Sequence, residues 1–307
     1  MNSQEEKDAD LMNKALKGMN VDTNSLLDIV KNRTHKERMK IRHAYKSMFG
    51  KDLLLDLKSE LVGEFKSTMM ALFKDPVEYD ADSLYKAIKG LGTNEDTLIE
   101  ILSSRPGWYL NKIKKVYKEK YKKDLEKDVI GDTSSDFRNL LVSLLQCKRR
   151  ENTNPDKDEC EKFANELYEA GEKKLGTDEP VFNKVFALSS PHELILIARE
   201  YQKLTGNSLM KAIDAEFSGD IRKLLKTILY VLISPSEYFA TRIHDAIVGI
   251  GTNENILSRV LVTRAGIDLP KIKQYYSELY GKDMAEDIMD DVSGDYKNLL
   301  MTILNSS

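Results

Sequence analysis

The sequence contains few of the residues on which several classes of protein depend. It has only two cysteines in 307 residues, Cys147 and Cys160, and their spacing is not that of a metal site. They indicate reduced thiols, with a disulfide the less favoured alternative. No apolar run approaches the roughly 18 residues of a membrane-spanning helix. The polar N-terminus is not typical of a secretory signal. We therefore expect a cytoplasmic protein.

The sequence also lacks an excess of one charge and any catalytic pattern. Lys and Arg number 47 and Asp and Glu number 50, for a net charge of −3. Nucleic-acid binders usually carry a basic excess, so we expect no nucleic-acid partner. Neither Gly-x-Ser-x-Gly nor a phosphate-binding Gly-Lys-Ser/Thr loop occurs, and the four histidines are scattered. We therefore expect no enzymatic activity.

What the sequence does contain is one pattern in four copies. In each copy a loop of small residues precedes an acid by forty residues. The loop and acid pairs are Asn20 and Glu60, Gly92 and Asp132, Gly176 and Glu216, and Gly251 and Asp291. Such self-similarity indicates a repeat architecture.

An apolar stripe follows the acid in every copy. In the second copy it consists of Phe137, Leu140, Leu141, Leu144 and Leu145. This spacing places one face of a helix in a core. Glycine and proline breaks divide each copy into five helices, about twenty in all, and period-two alternation is not sustained. The pattern predicts an all-α fold.

The repeats and the polar stretch between the second and third copies predict the domain organisation. The predicted parts are a short N-terminal segment (1–7), repeat 1 (8–77), repeat 2 (78–147), an exposed linker (148–159), repeat 3 (160–235) and repeat 4 (236–307). Within the second repeat, Gly90 and Gly92 end the first helix. Thr93 is then predicted to cap the next helix, with Asp96 as its reciprocal partner.

The loops have the chemistry of a hard cation site. A loop with two glycines can turn carbonyl oxygens toward one point, and a distant carboxylate completes a site of the kind that Ca²⁺ prefers. One acid per site predicts weak binding, on the order of 10⁻⁴ to 10⁻³ M. The loop tips are apolar in all four copies, namely Met19, Leu91, Leu175 and Ile250. Such tips suit the boundary of a membrane.

These motifs resemble the annexin family. They are Lys-Gly-Leu-Gly-Thr-Asn-Glu with Gly-Asp-Thr-Ser, Ala-Gly-Glu-Lys-Lys-Leu-Gly-Thr-Asp-Glu, and Gly-Ile-Gly-Thr-Asn-Glu with Asp-Val-Ser-Gly-Asp-Tyr. The resemblance runs from about Asp8 to the end. It implies four five-helix repeats in a curved disc, which bind anionic phospholipid membranes peripherally when Ca²⁺ rises. Self-association on membranes stays open.

The resemblance also implies the metal ligands, three loop carbonyls and one carboxylate in each repeat. The four sets are Leu16, Gly18, Asn20 and Glu60; Ile88, Gly90, Gly92 and Asp132; Gly171, Lys174, Gly176 and Glu216; and Ile247, Gly249, Gly251 and Asp291. The ion would bridge these oxygens and a lipid phosphate.

The first and third repeats depart from this pattern. Asn20 and Val21 replace the second glycine and the threonine of the first loop, although asparagine tolerates left-handed backbone better than most residues. Ser189 replaces an arginine that the other repeats carry at this register, so repeat 3 must be held together differently. The alternative function is an all-helical scaffold that binds protein or cytoskeletal partners, with loops that only cap helices.

Overall fold

The fold consists of helices throughout the part of the chain that the computed structural model describes, residues 3–18, 20–90, 92–249 and 251–306. Twenty helices and no strand lie in these ranges. They confirm the prediction of four repeats of five helices. In repeat 1 they are α1 (Gln4–Lys17), α2 (Thr23–Asn32), α3 (His35–Phe49), α4 (Leu53–Glu60) and α5 (Gly63–Leu72). In repeat 2 they are α6 (Pro76–Ile88), α7 (Glu95–Ser104), α8 (Gly107–Tyr121), α9 (Leu125–Asp132) and α10 (Ser135–Leu145).

The second half of the chain repeats this order. In repeat 3 the helices are α11 (Lys157–Ala170), α12 (Glu179–Leu188), α13 (Pro191–Thr205), α14 (Leu209–Glu216) and α15 (Gly219–Ile233). In repeat 4 they are α16 (Pro235–Ile247), α17 (Glu254–Arg264), α18 (Leu269–Tyr280), α19 (Met284–Asp291) and α20 (Gly294–Asn305). The chain divides into two compact units, residues 1–76 with 236–307 and residues 77–235.

The apolar stripe of the fifth helix is buried in each repeat. All five stripe residues of α10 are buried, and those of α15 and α20 are buried except for the half-buried Ile221 and Tyr296. In α5 the stripe includes Thr68, whose hydroxyl is 2.8 Å from that of Ser258. The 3.6-residue period therefore identified the core face correctly.

Each fifth helix begins from left-handed backbone. The φ angles are 59° at Gly63, 51° at Ser135, 61° at Gly219 and 62° at Gly294. Glycine adopts this region without steric cost. Ser135 is the one position of the four that has a side chain.

The arginines at the common register tie elements of their repeats together. Arg33 Nε lies 2.5 Å from Asp8 Oδ2, and Arg105 Nε lies 2.7 Å from Asp80 Oδ2. Arg264 instead pairs with Asp268, the residue that directly precedes α18. The distance from Arg264 Nε to Asp268 Oδ1 is 2.6 Å. These contacts explain the recurrence of arginine in repeats 1, 2 and 4.

Repeat 3 replaces this tie with arginines of the linker. Arg149 donates to the carbonyl of Ser189 at 2.8 Å and to that of Phe186 at 2.7 Å. Arg150 Nε lies 3.0 Å from the buried Glu193 carboxylate. Burial lowers the pKa of Arg149 to about 10. The expectation of an exposed linker is therefore wrong at these two half-buried residues, because Arg149 binds carbonyls at the end of α12 and Arg150 pairs with Glu193 of α13.

Candidate cation-binding loops

The four predicted acids occupy the same place in their repeats. Each is the last residue of the fourth helix: Glu60 of α4, Asp132 of α9, Glu216 of α14 and Asp291 of α19. Likewise Ile88 and Ile247 are the last residues of α6 and α16, and Leu16 is the penultimate residue of α1. The final carbonyls of a helix have no intrahelical donor, so they are available to other partners.

All four loops close with the same backbone hydrogen bond. The amide that follows the loop donates to the carbonyl of an alanine at the end of the first helix. These bonds are Asp22 to Ala15 (3.0 Å), Asn94 to Ala87 (2.8 Å), Asp178 to Ala170 (2.7 Å) and Asn253 to Ala246 (2.7 Å). The loop in repeat 3 is one residue longer but closes in the same way.

A threonine hydroxyl joins the loop to the acid in repeat 2. Thr93 Oγ1 donates to Asp132 Oδ2 at 2.6 Å and also lies 2.9 Å from the Asp132 carbonyl oxygen. The predicted capping role of Thr93 with Asp96 is therefore wrong. Asn94 caps α7 instead, because its Oδ1 accepts from the Thr97 amide at 2.9 Å.

Repeats 3 and 4 contain the same tether. Thr177 Oγ1 donates to Glu216 Oε2 at 2.6 Å. Thr252 Oγ1 donates to Asp291 Oδ2. Sequence reasoning missed this role, although threonine after the anchor glycine in three copies was the signal. The hydroxyls hold one carboxylate oxygen and bring loop and acid together.

The backbone of these three loops is also alike at the anchor glycine. The φ angle is 85° at Gly92, 81° at Gly176 and 83° at Gly251, a region that side chains disfavour. In repeat 3, a Cβ atom built on Gly171 would lie 3.4 Å from the carboxyl carbon of Glu216. Glycine thus permits this close approach of the loop to the acid.

The donor set of these three loops fits a hard cation. Among the described residues, no group of three or more His, Cys, Asp or Glu side chains is arranged to hold a metal. A metal at these loops would therefore take most of its oxygens from backbone carbonyls and one group from the acid. Ca²⁺ accepts such a mixture of ligands.

The first loop has a different geometry. Gly18 has φ −65° and ψ 170°, and a Cβ atom there would meet the Asn20 carbonyl oxygen at 2.8 Å. Positive φ at non-glycine residues of the described chain occurs at Lys122, Ser135 and Cys147 but not at Asn20. Val21 has no hydroxyl for Glu60, whose Oε1 instead accepts from Ser59 at 3.1 Å. The structure thus closes this loop without the tether.

The predicted apolar tips can be assessed in one loop. Leu175 is fully exposed, with a relative accessibility of 104%. Met19, Leu91 and Ile250 lie outside the described residues. Over the ranges that the structure does describe, none of the helices has the length and apolar character needed to cross a membrane.

Nearly the whole chain matches known proteins. The annexin family model matches residues 7–72, 79–144, 162–228 and 238–303. Annexin A13 of Homo sapiens is 42% identical over 98% of this chain and 95% of its own length. Annexin A11 of Oryctolagus cuniculus is 41% identical over 97% of this chain but only 59% of its own length. The chain therefore spans about three fifths of that relative.

Solved structures agree with the sequence comparison. The structure of annexin III superposes with a TM-score of 0.96 at 36% identity, covering 99% of this chain and 94% of the other. A calcium-bound structure of annexin (Sm)1 has a TM-score of 0.86 at 31% identity, covering 98% and 90%. The chain has four five-helix repeats, each with a loop closed by the same backbone hydrogen bond, and it matches annexins over nearly its full length. It therefore belongs to the annexin family.

Proposed function

We propose that this chain binds anionic phospholipid membranes peripherally when Ca²⁺ is present, without an enzymatic activity of its own. The observation that carries the proposal is the threonine tether, which holds a carboxylate beside a glycine loop in repeats 2, 3 and 4. A relative of this chain, annexin (Sm)1, has been solved in a calcium-bound form.

The ligands of each ion would be loop carbonyls and one acid. They are Ile88, Gly90, Gly92 and Asp132 in repeat 2; Gly171, Lys174, Gly176 and Glu216 in repeat 3; and Ile247, Gly249, Gly251 and Asp291 in repeat 4. Leu16, Gly18, Asn20 and Glu60 form the corresponding set in repeat 1, which we expect to bind most weakly because it has no tether.

Such a site leaves room for a ligand from outside the protein. Ca²⁺ accepts six to eight oxygens, and a loop with one acid does not provide them all. A lipid phosphate would complete the shell, so the ion would bridge protein and membrane. Leu175 would add apolar contact at the boundary of the acyl chains. In a cell, the protein would be cytoplasmic and would move to membranes as Ca²⁺ rises.

The net charge of −3 favours a switch of this kind. Without Ca²⁺, the half-buried acids of the tethered loops and an anionic surface repel each other. With Ca²⁺, each ion offsets that repulsion and supplies the attachment. Binding should therefore depend steeply on the Ca²⁺ concentration.

Sedimentation with phosphatidylserine vesicles tests the proposal. We expect binding in Ca²⁺ and release in chelator, and we expect Asp132→Ala, Glu216→Ala and Asp291→Ala together to abolish it. The control removes the same charge from three exposed helical acids, Asp28, Glu119 and Asp245, each replaced by alanine. Equal binding in Ca²⁺ and in chelator would reject the proposal and favour a protein-binding scaffold.

A further inference from the structure

A buried tyrosine on the third helix of every repeat donates a hydrogen bond to a carboxylate. In three repeats the acceptor lies eleven residues later, on the fourth helix. The pairs are Tyr45 with Asp56 (2.6 Å), Tyr117 with Asp128 (2.8 Å) and Tyr276 with Asp287 (2.6 Å). These bonds tie the third helix to the fourth.

Repeat 3 lacks the acid at this position. Eleven residues after Tyr201 lies Ala212, which is buried. Tyr201 is fully buried as well, so its hydroxyl needs an acceptor within the protein. It finds Glu172, whose Oε2 accepts at 2.7 Å.

Glu172 lies in the candidate cation loop and not on the fourth helix. It follows Gly171, at the end of α11, and precedes Lys174 and Gly176. Its second oxygen, Oε1, accepts from Asn207 Nδ2 at 3.0 Å. Both carboxylate oxygens are therefore held by residues at the end of α13 and just beyond it.

The sequences of the other loops contain no acid at the corresponding place. Residues 17–20, 89–92 and 248–251 read Lys-Gly-Met-Asn, Lys-Gly-Leu-Gly and Val-Gly-Ile-Gly, with no acid among them. In repeat 3, by contrast, the anchored Glu172 directly follows Gly171, where an added Cβ atom would lie 3.4 Å from the carboxyl carbon of Glu216. The anchored residue therefore adjoins a glycine that lies close to the acid.

We propose that Glu172 is a positioning residue for the cation site of repeat 3. By binding Tyr201 and Asn207, it holds the first turn of the loop in place before an ion arrives. In the other repeats the tyrosine's acceptor joins the third helix to the fourth, whereas in repeat 3 the acceptor, Glu172, joins the third helix to the loop. This inference rests on the proposed function, because it assumes that the loop binds Ca²⁺.

The test uses full-length chains that keep one complete site. The repeat 3 reporter carries Glu60→Ala, Asp132→Ala and Asp291→Ala, and the repeat 2 reporter carries Glu60→Ala, Glu216→Ala and Asp291→Ala. For each we would measure the Ca²⁺ concentration for half-maximal binding to phosphatidylserine vesicles, together with the melting temperature.

We expect Glu172→Ala in the repeat 3 reporter to raise the required Ca²⁺ concentration about tenfold, as is typical when a residue that supports metal ligands is lost. The matched control is Asp128→Ala in the repeat 2 reporter. It also removes the tyrosine's acceptor, but it does not touch the loop, so we expect no change in the Ca²⁺ requirement.

A second variant separates positioning from stability. Ala212→Asp, added to Glu172→Ala, supplies Tyr201 with an acceptor at the position used by the other repeats. We expect the melting temperature to recover while the Ca²⁺ requirement stays high. Recovery of both, no effect of Glu172→Ala, or an equal effect of Asp128→Ala on its own site would overturn the inference. If neither reporter nor the unmodified chain responds to Ca²⁺, the proposed function itself fails.

Discussion

Thr93 Oγ1 donates a 2.6 Å hydrogen bond to Asp132 Oδ2, across 39 residues of sequence. Helices α7 and α8 lie between the two residues along the chain, and Asp132 ends α9, so the bond forms only because the folded repeat brings loop and acid together. The bond also leaves Oδ1 of Asp132 without a partner among the described residues. The threonine thus orients the Asp132 carboxylate through Oδ2 and leaves Oδ1 able to bind a cation.

Thr93→Val should therefore weaken Ca²⁺ binding at repeat 2. The loss of a hydrogen bond to a metal-binding carboxylate usually lowers affinity by about tenfold or more. Thr93→Ser, which keeps the hydroxyl, should bind almost as the unmodified chain does. Titration calorimetry with Ca²⁺ and phosphatidylserine vesicles on the repeat 2 reporter measures both. An equal affinity for the valine and serine variants would contradict the role of the hydroxyl.

The first loop should gain affinity when it is given the missing groups. Asn20→Gly permits the left-handed backbone of the other loops, and Val21→Thr supplies a donor for Glu60. At a Ca²⁺ concentration too low to fill the weak first site of the unmodified protein, we expect the double variant to bind one more Ca²⁺ per chain. Asn20→Gly with Val21→Ala is the control, since it changes the backbone without adding a hydroxyl. The measurement is the stoichiometry of Ca²⁺ bound in the presence of vesicles.

Leu175→Ser should weaken attachment to the membrane without changing Ca²⁺ affinity in solution. Burying a leucine side chain is worth about 1.5 to 3 kcal/mol, so its loss should lower vesicle affinity by about tenfold or more. Leu204→Ser is the control, because Leu204 is also exposed but lies on α13. Vesicle sedimentation at a fixed Ca²⁺ concentration measures the effect, and equal loss in both variants would argue against insertion of the tip.

The stability of repeat 4 should depend on pH through Asp287. Partial burial acts to raise the pKa of Asp287, but hydrogen bonds from Lys282 and Tyr276 outweigh it and hold the pKa below the ordinary value of 3.8. A carboxyl whose pKa is lower in the folded state stabilises the fold fully above its unfolded pKa. That stabilisation is lost as the pH falls through the lower, folded value.

Asp287→Asn tests this linkage. The difference in free energy of unfolding between the unmodified chain and the variant should be constant above about pH 5 and should shrink as the pH falls below about 4. Denaturant unfolding over this range provides the measurement. Asp245→Asn, at an exposed acid of the same repeat, is the control. A difference that grows toward acid would show that the sign is wrong.

Much of the fold could be predicted because its signals are local. Phe137, Leu140 and Leu144 recur at helical spacing, and this spacing alone marks the face that is buried. The position of Asp132 followed from its repetition in the other copies. Both predictions required only distances along the chain.

Other features could not be predicted because they depend on competition between partners. Thr93 follows a glycine at the start of a helix, where either a capping role or a distant partner is chemically reasonable. In the structure the Thr93 hydroxyl donates to Asp132, because Asn94 is the N-cap residue of α7. The partner of Tyr201 could not be predicted either. Ala212 occupies the position that holds an acid in the other repeats, and the acid that replaces it, Glu172, lies 29 residues before Tyr201.

The tether across the repeat has a thermodynamic consequence. The loop precedes the second helix of its repeat and the acid ends the fourth, so an ion held between them would close a ring of about forty residues by non-covalent bonds. Unfolding any of those helices opens the ring, and an ion would therefore bind the folded repeat in preference to the unfolded one. At a Ca²⁺ concentration of about 100 times Kd, mass action would add about 2.7 kcal/mol to the free energy of unfolding. The melting temperature of the lipid-free protein would then report the concentration of Ca²⁺.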